Sequence, residues 1–243
     1  MVFVEQTFQS SSKIWKRRGI LINQCEFIGV SSIGILTVAA IFMGAALGYQ
    51  LYVSFEIFGA QALVGGTIGV SIFREMGPVI GAIMVTGRAG AAIGAEISSM
   101  RVSEQIDALE VMGVNPYEYL VMPRVLAGAL MMPLLAFIFG GIATLAASAL
   151  ACGVMGLSWP VFWAQFRLWV DYAELLHCFV KGMSFGASLT ILGCFYGFRA
   201  QGGAMAVGLA TRSTVVASCL TILLLDYFWT MVLPIRAATL GVH

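Results

Sequence analysis

Four ionisable side chains fall inside long apolar stretches, and their chemistry is the first thing to explain. A charge at the centre of a membrane helix costs about 2.5–3.5 kcal/mol. Such groups could line a polar substrate path or switch between two states. They could equally form internal ion pairs that fix helix packing, and a lysine could extend outwards to water. Two of them, Arg88 and Glu96, stand eight residues apart, about 12 Å along a helix, so we expect no direct ion pair between them. The four are Arg88, Glu96, Lys181 and Asp226, the last favouring a buried polar role.

Other familiar chemistries lack their residues. The five cysteines form no CxxC pair and read as small buried hydrophobes, and two histidines alone predict no zinc site. Ser184 and His177 lack the glycine pattern of a nucleophile elbow, and no carboxylate pair suits metal-dependent lipid chemistry. The glycine-lysine pattern of an ATP-binding loop is also missing. We therefore expect neither an enzyme nor a bound cofactor or metal.

The amino-acid composition indicates the class of structure that holds these charges. The 243 residues are 60% hydrophobic and only 10% charged, whereas a soluble domain carries about 25% charged residues. The chain cannot cover a globular surface with polar groups, so we predict an all-α integral membrane protein. Its formal net charge of +1 indicates no nucleic-acid partner.

Five full transmembrane spans are predicted. The stretch 57–100 would be about 66 Å long as one helix, twice the hydrocarbon thickness of about 30 Å, so we expect a break near 74–78, before Pro78. The piece 57–73 either crosses or is re-entrant or interfacial on the far side. The distribution of basic residues favours the second case, with the N-terminus inside and the C-terminus outside. The spans are 29–53, 77–100, 124–150, 176–198 and 213–234.

The remaining segments complete a single transmembrane domain, 29–243, and the arm that precedes it. Residues 1–28, with a basic cluster, predict an N-terminal interfacial arm or helix. The segment 157–171 carries three tryptophans and is expected at the outer interface. The glycine-rich stretch 200–208 predicts a tight cytoplasmic turn. Small residues four apart allow close helix packing, within the subunit or across a homodimer: Gly87, Ala91 and Ala95, with Gly90 and Gly94 alongside.

A short polar segment, 103–113, interrupts the apolar spans. Ser103 could cap a helix there and Gly113 could end it. An isolated helix with acid near its start could be a solvated connector. An apolar stripe beside the acidic one favours docking into the groove of a soluble partner instead. The acidic stripe is Glu104, Asp107 and Glu110, and the apolar stripe is Ile106, Leu109 and Met112.

Here the sequence resembles a known family. The run Glu104-Gln-Ile-Asp-Ala-Leu-Glu-Val-Met-Gly-Val-Asn-Pro116, followed by Tyr119-Leu-Val-Met-Pro-Arg124, is similar to the signature of MlaE/YrbE-type permeases. Matching runs are Arg74-Glu-Met-Gly-Pro78, Gly87-Arg-Ala-Gly-Ala-Ala-Ile-Gly-Ala-Glu96 and Gly202-Gly-Ala-Met-Ala-Val-Gly-Leu-Ala-Thr-Arg212, with Val215, Val216 and Asp226 beyond them. The similarity covers about 30–234. Arg212 stands where the family often has a second threonine.

The resemblance implies the membrane subunit of an ABC-type transporter in the inner membrane of a Gram-negative-type bacterium. It would move phospholipid between the inner membrane and the outer envelope. Residues 103–113 would be the coupling helix seated in a separate cytoplasmic ATPase, with a homodimer of this chain and a periplasmic MCE-domain protein completing the assembly. We expect apolar residues such as Leu51 and Leu63 to line a lipid cavity. The alternative is an ion-coupled secondary transporter or channel that uses the buried charges without an ATPase.

Overall fold

The computed structural model describes residues 18–233, and within that range every regular element is helical. Five stretches are long and apolar enough to cross a membrane, which confirms the all-α membrane fold with five spans. The basic cluster of the N-terminal arm and the end of the fifth span lie partly outside the described residues. The five stretches are Arg18–Glu56, Gln61–Val102, Tyr117–Gly153, Tyr172–Phe198 and Gly203–Val232.

The first stretch contains two helices joined by one short turn. Helix α1, Arg18–Ile28, meets α2, Ile33–Glu56, through a 3₁₀ turn at Val30–Ser32. Helix α1 packs against a later span, α7, which covers Met122–Gly153. The described part of the N-terminal arm is therefore helical and is attached to the bundle.

The second stretch corrects the expected break at 74–78. The chain stays helical from Gln61 to Val102, and the predicted interruption is a widened π-helical turn at Ile72–Met76. Proline cannot donate to the carbonyl four residues earlier and its ring crowds that carbonyl, so a wider turn accommodates Pro78 without ending the helix. A second π turn, Tyr117–Val121, stands in the same relation to Pro123. That the segment 57–73 does not cross the membrane stays a prediction.

This long helix has six parts. A 3₁₀ turn at Gln61–Leu63 leads into α3, Val64–Ser71, and the first π turn then leads into α4, Gly77–Val85. A further π turn, Thr86–Gly90, separates α4 from α5, which runs over Ala91–Val102. Short α6, Gln105–Val111, follows immediately, and α7 begins after the π turn at Tyr117–Val121.

The remaining helices complete the bundle around α7. Helix α8 spans Trp159–Trp169, α9 spans Tyr172–Phe198 and α10 spans Gly203–Val232. The prediction of a turn over 200–208 is wrong beyond Gly202, because α10 begins at Gly203 and adds ten residues to the expected start of the fifth span. Gly202 has a positive φ of 91°, which glycine adopts without strain.

Close backbone contacts hold α7 at the centre. It packs against α1, α2, α4 and α9. Where α7 crosses α9, a side-chain carbon at Gly186 would collide with the backbone carbonyl of Gly128. Without water in the bilayer core, such small-residue contacts and the dispersion energy they permit are what hold helices together.

The small-residue stripe of the second stretch is divided between two environments. A side-chain carbon at Gly94 would meet the hydroxyl oxygen of Thr214 at 2.7 Å, so this glycine admits α10 of the same chain. Gly87 has open space where its side chain would be. Packing within the subunit therefore explains Gly94, and Gly87 is left to face lipid or another chain.

The bundle has two distinct ends. At one end, Gly197 near the end of α9 lies against Ile97 of α5, and the rings of Tyr117 and Phe198 stack with centroids 5.5 Å apart. Residues 103–116 and 199–202 are thus on the same side, which we call the coupling-helix side. At the other end α8 packs on α3 with Phe162 fully buried. Trp159 and Trp169, at the two ends of α8, remain partly exposed.

Candidate functional site

A buried charge cluster joins three elements of the bundle. Lys181, near the middle of α9, is fully buried, and its Nζ lies 2.8 Å from Oε2 of Glu75 and 2.7 Å from Oδ1 of Asp226. The same nitrogen donates to the hydroxyl of Thr230 at 2.9 Å, and that hydroxyl donates to Oε1 of Glu75 at 3.3 Å. One ammonium group therefore connects the first π turn with α9 and α10.

A second ion pair extends this cluster. Nε of Arg74 lies 3.1 Å from Oε2 of Glu174, and both side chains are largely buried. Three carboxylates thus face two cations. If all five groups are ionised, the cluster has a charge of about −1, which buried ion pairs tolerate only with close geometry and further hydrogen bonds. We call Arg74, Glu75, Glu174, Lys181 and Asp226 the buried charge cluster after its fully buried centre, Lys181; the side chain of Glu75 is 38% exposed and that of Asp226 21%.

Sequence reasoning found only part of this cluster. Lys181 and Asp226 were predicted, and the structure brings them together; Lys181 does not extend to water. Glu75 and Arg74 were interpreted as part of a helix break and of a family motif, without charge partners, and Glu174 was overlooked. The available signal was an adjacent pair of opposite charges in an apolar segment, where each charge needs a partner.

The other two predicted intramembrane charges serve separate contacts, and as expected they do not pair with each other. Nε of Arg88 donates to the Ser32 hydroxyl at 3.0 Å, and its guanidinium also binds the backbone carbonyl of Phe27. Arg88 therefore holds the junction between α1 and α2. Oε1 of Glu96 lies 2.8 Å from Nη2 of the buried Arg124, which joins α5 to the start of α7.

The short helix predicted within 103–113 is present, with a different start from the one expected. Ser103 does not cap it, because its hydroxyl donates back to the carbonyl of Ser99 at 2.8 Å. Glu104 precedes the helix in the left-handed region, with a φ of 59°. Gly113, with a φ of 72°, ends the helix as predicted: its N–H donates to Glu110 and that of Val114 to Leu109, the pattern of a Schellman motif.

The two stripes of α6 do not have the same exposure. Ile106 is only 1% exposed and Leu109 is partly buried, so both contact the chain's own core. Met112 is 68% exposed and Val111, outside the predicted stripe, is 89% exposed. The acidic residues are exposed, and Asp107 forms an ion pair with Arg101 at the end of α5. The exposed surface of α6 consists of Glu104, Asp107, Glu110, Val111 and Met112.

The predicted lipid-cavity positions, Leu51 and Leu63, lie outside two cavities at the other end of the bundle. Two cavities of about 880 and 450 Å³ open along the ends of α9 and α10 on the coupling-helix side. Leu51 packs partly buried against the core, Leu63 is partly exposed at the opposite side, and neither lines these two cavities. A lipid cavity at these leucines stays a prediction.

Ser184, considered above for hydrolytic chemistry, takes part in hydrogen bonds that join α9 to α10. Ser184 donates its hydroxyl to the carbonyl of Lys181 at 2.9 Å and accepts from the indole N–H of Trp229 at the same distance. No group of three or more His, Cys, Asp or Glu side chains in that range is arranged to hold a metal ion.

Comparison with known proteins gives a consistent set of relatives. The family described as Permease MlaE matches residues 21–232. A "Probable ABC transporter permease protein" of Rickettsia conorii is 35% identical over 211 residues, covering 87% of this chain and 82% of the relative. The "Intermembrane phospholipid transport system permease protein MlaE" of Haemophilus influenzae is 32% identical over 222 residues, covering 91% and 85%.

A plant protein extends the set. The chloroplastic protein TRIGALACTOSYLDIACYLGLYCEROL 1 of Arabidopsis thaliana is 32% identical over 206 residues, covering 85% of this chain and 59% of the plant protein. The family match spans all five membrane-crossing stretches, the charge cluster and α6. On this evidence the chain belongs to the MlaE permease family.

Proposed function

We propose that this chain is the permease subunit of an ABC-type transporter that moves phospholipid between the inner membrane and the outer envelope. Two copies would pair in the inner membrane of a Gram-negative-type bacterium. A separate ATPase would bind on the coupling-helix side, which would face the cytoplasm, and an MCE-domain protein would bind at the opposite side. The observation that carries the proposal is the exposed surface of α6.

Helix α6 is anchored in the chain's own core on one face and exposes apolar side chains at its C-terminal end. Ile106 is buried and the Schellman motif fixes the end of the helix, while the Glu96–Arg124 pair connects the spans on either side of it. The exposed tip presents Val111 and Met112 beside acidic side chains. An amphipathic helix of this kind fits a partner groove with an apolar floor and a basic rim. Force applied at that tip would reach the spans directly.

The phospholipid substrate is supported by the kind of relatives and by the bundle. The Haemophilus relative is named for intermembrane phospholipid transport. This chain holds the charged side chains of the buried charge cluster among apolar helices, which suits a substrate with both a charged headgroup and acyl chains. We assign to the buried charge cluster the polar part of that task, either beside the path or as an element that changes between states.

The experiment compares matched single variants in the intact complex. Met112→Asp and Val111→Asp place a charge where the partner groove is expected to be apolar and should leave membrane insertion intact. We expect both to lose co-purifying ATPase and lipid export. Leu168→Asp on α8 alters a residue that is 72% exposed at the other end of the bundle and should retain the ATPase. Normal ATPase stoichiometry with Val111→Asp/Met112→Asp would remove the coupling role.

One observation supports a different function. The cluster of Lys181 with Glu75 and Asp226 resembles what an ion-coupled secondary transporter or channel requires, since such proteins place carboxylates and cations along an ion path. A mild-detergent pull-down from native membranes, with mass spectrometry of proteins and lipids, separates the two. A P-loop ATPase with bound phospholipid supports the ABC permease; a lone oligomer, under conditions that preserve a control ABC complex, supports the alternative.

The cavity prediction has its own test. Photocrosslinkable residues at Leu51 and Leu63 should form lipid adducts in membranes if these positions line the transport cavity. Adduct yields no higher than at Leu168 would argue against a cavity there, without bearing on the coupling helix.

A further inference from the structure

One buried titratable side chain, His177, stands outside the five residues of the buried charge cluster. It lies on α9 and is only 3% exposed. Among residues 18–233 it is the only histidine. Histidine is the side chain whose charge ordinarily changes between pH 5 and 8, so it can take up and release a proton in that range. What such a proton would do depends on the charges around the imidazole.

His177 shares a face of α9 with two members of the buried charge cluster. Glu174 precedes it by three residues and Lys181 follows it by four, so the three positions fall within about 60° around the helix axis. Residues three or four apart on a helix have Cβ atoms about 5–6 Å apart. His177 therefore lies one helical turn from a carboxylate on one side and one turn from an ammonium group on the other.

The charges around His177 are those of the buried charge cluster, which come from α9, the first π turn and α10. The carboxylate of Glu174 interacts electrostatically with both cations of the cluster and with Glu75, so the five groups act as one set. The neutral titratable neighbours are the thiol of Cys178 on α9 and the phenol of Tyr227 on α10. Other charged residues of the elements packed on α9 lie toward the coupling-helix side or the α1–α2 junction: Arg88, Glu96, Arg101, Glu118, Arg124, Arg199 and Arg212.

The cluster without His177 has one positive charge too few. Its three carboxylates face two cations, and an uncompensated charge among apolar helices is costly. An imidazolium at His177 would bring the set to three cations and three carboxylates. A proton bound by this ring would therefore balance the charge of the whole site.

The site lies near the end of the bundle opposite the coupling-helix side. Helix α9 begins there at Tyr172, which is 77% exposed. His177 is five residues further along, about 8 Å in a helix. A proton from the aqueous phase at that end has fewer than two helical turns to cross, and the carboxylate of Glu174 lies on the way.

We propose that His177 and the buried charge cluster form a proton-binding site that exchanges with the aqueous phase on the side opposite the coupling helix. Near pH 5 the imidazole carries the proton and the site is balanced. Near pH 8 the imidazole is neutral and the site has a net charge of about −1. The proton comes from water and returns to water, so no other reactant is needed. Binding of this proton goes beyond the proposed transport function, because ATP hydrolysis on a separate subunit would require no proton on this chain.

Nuclear magnetic resonance of histidine labelled with nitrogen-15 observes the proton directly. The chain has only two histidines, so His243→Gln leaves His177 as the one labelled side chain, provided that no histidine tag is present. The ring nitrogen shifts of the full chain in nanodiscs are followed from pH 5 to pH 8, since they differ between imidazole and imidazolium. We expect a single titration with its midpoint inside that range.

Charge variants on two elements test whether the cluster holds the proton. Glu174→Gln and Glu75→Gln each remove a negative charge and should each move the midpoint down by about one pH unit or more, a tenfold loss of proton affinity. Arg74→Gln removes a positive charge and should move it upwards. Asp107→Asn removes an exposed carboxylate from α6 and should leave the midpoint unchanged.

The outcomes separate this site from an ordinary buried histidine. A ring that stays neutral, or stays protonated, from pH 5 to pH 8 overturns the proposal. So does a midpoint that neither glutamine variant moves, because the cluster would then not act on the proton. Normal expression and elution volume are required of each variant. Glu174 and Glu75 belong to different elements, so loss of folding in one variant leaves the other as the test.

Discussion

Removing the cation at the centre of the buried charge cluster is the most demanding test of that site. Lys181→Met keeps a side chain of similar length and apolar character but deletes the ammonium group. Lys181 is fully buried, and it is the only cation in contact with Glu75 and Asp226 among the described residues. The variant would leave two carboxylates facing each other with no opposite charge between them.

The magnitude follows from the distances. Both carboxylate oxygens lie within 2.8 Å of Nζ, so they are no more than about 5.5 Å apart. At an effective dielectric constant of about 20, two unit charges at that separation repel by about 3 kcal/mol. Breaking a buried ion pair by removing one partner costs about 3–5 kcal/mol in soluble proteins. We therefore expect Lys181→Met to lose about 3 kcal/mol of unfolding free energy.

A reversible unfolding titration of the purified chain in SDS and mild-detergent mixtures measures this loss. The triple variant Lys181→Met/Glu75→Gln/Asp226→Asn removes the repelling charges and should recover most of the stability. Arg101→Met breaks the exposed pair with Asp107 and should cost less than about 1 kcal/mol. A stability loss below about 0.5 kcal/mol for Lys181→Met, or no recovery in the triple variant, would refute the electrostatic reasoning.

Three further predictions concern transport, packing and the N-terminal junction. Asp226→Asn leaves one carboxylate for Lys181, so we expect normal assembly with reduced transport; full activity in an outer-membrane integrity assay would leave Asp226 a packing role alone. Gly186→Ala forces a carbon onto the α7 backbone and should destabilise the fold by about 1–3 kcal/mol in the SDS titration, whereas Gly141→Ala, in open space on α7, should be neutral or gain up to about 1 kcal/mol. Arg88→Met leaves the Phe27 carbonyl without its donor and should lower unfolding free energy by about 1–3 kcal/mol; protease access at the α1–α2 junction should rise with it.

The sequence predicted the helical class and five spans because apolar length and scarce charge are global properties. It also predicted the end of α6, since Gly113 is a local backbone signal. Helix boundaries were less secure. Pro78 suggested a break, but a π turn accommodates it, as another π turn accommodates Pro123, and this solution depends on neighbouring helices rather than on the proline itself.

The sequence did not predict which residues far apart along the chain form pairs. The contact of Lys181 with Glu75 crosses 106 positions, and no pattern in a single sequence gives the rotation of one helix relative to another. The same holds for α6. Its stripes were visible, but only the packed structure shows that Ile106 belongs to the chain's own core and that Val111 does not.

The two ion pairs of the first π turn have a mechanical consequence. Neighbouring residues Arg74 and Glu75 hold Glu174 and Lys181, which lie seven residues apart on α9, about 10.5 Å along its axis. A helix fastened at two separated points can neither roll nor slide past its neighbour without separating both pairs. Helix α10 joins this unit through Asp226, Trp229 and Thr230, and it also packs along α9 and α5. Moving the first π turn along α9 would therefore break both ion pairs and displace α10 through Lys181 at the same time.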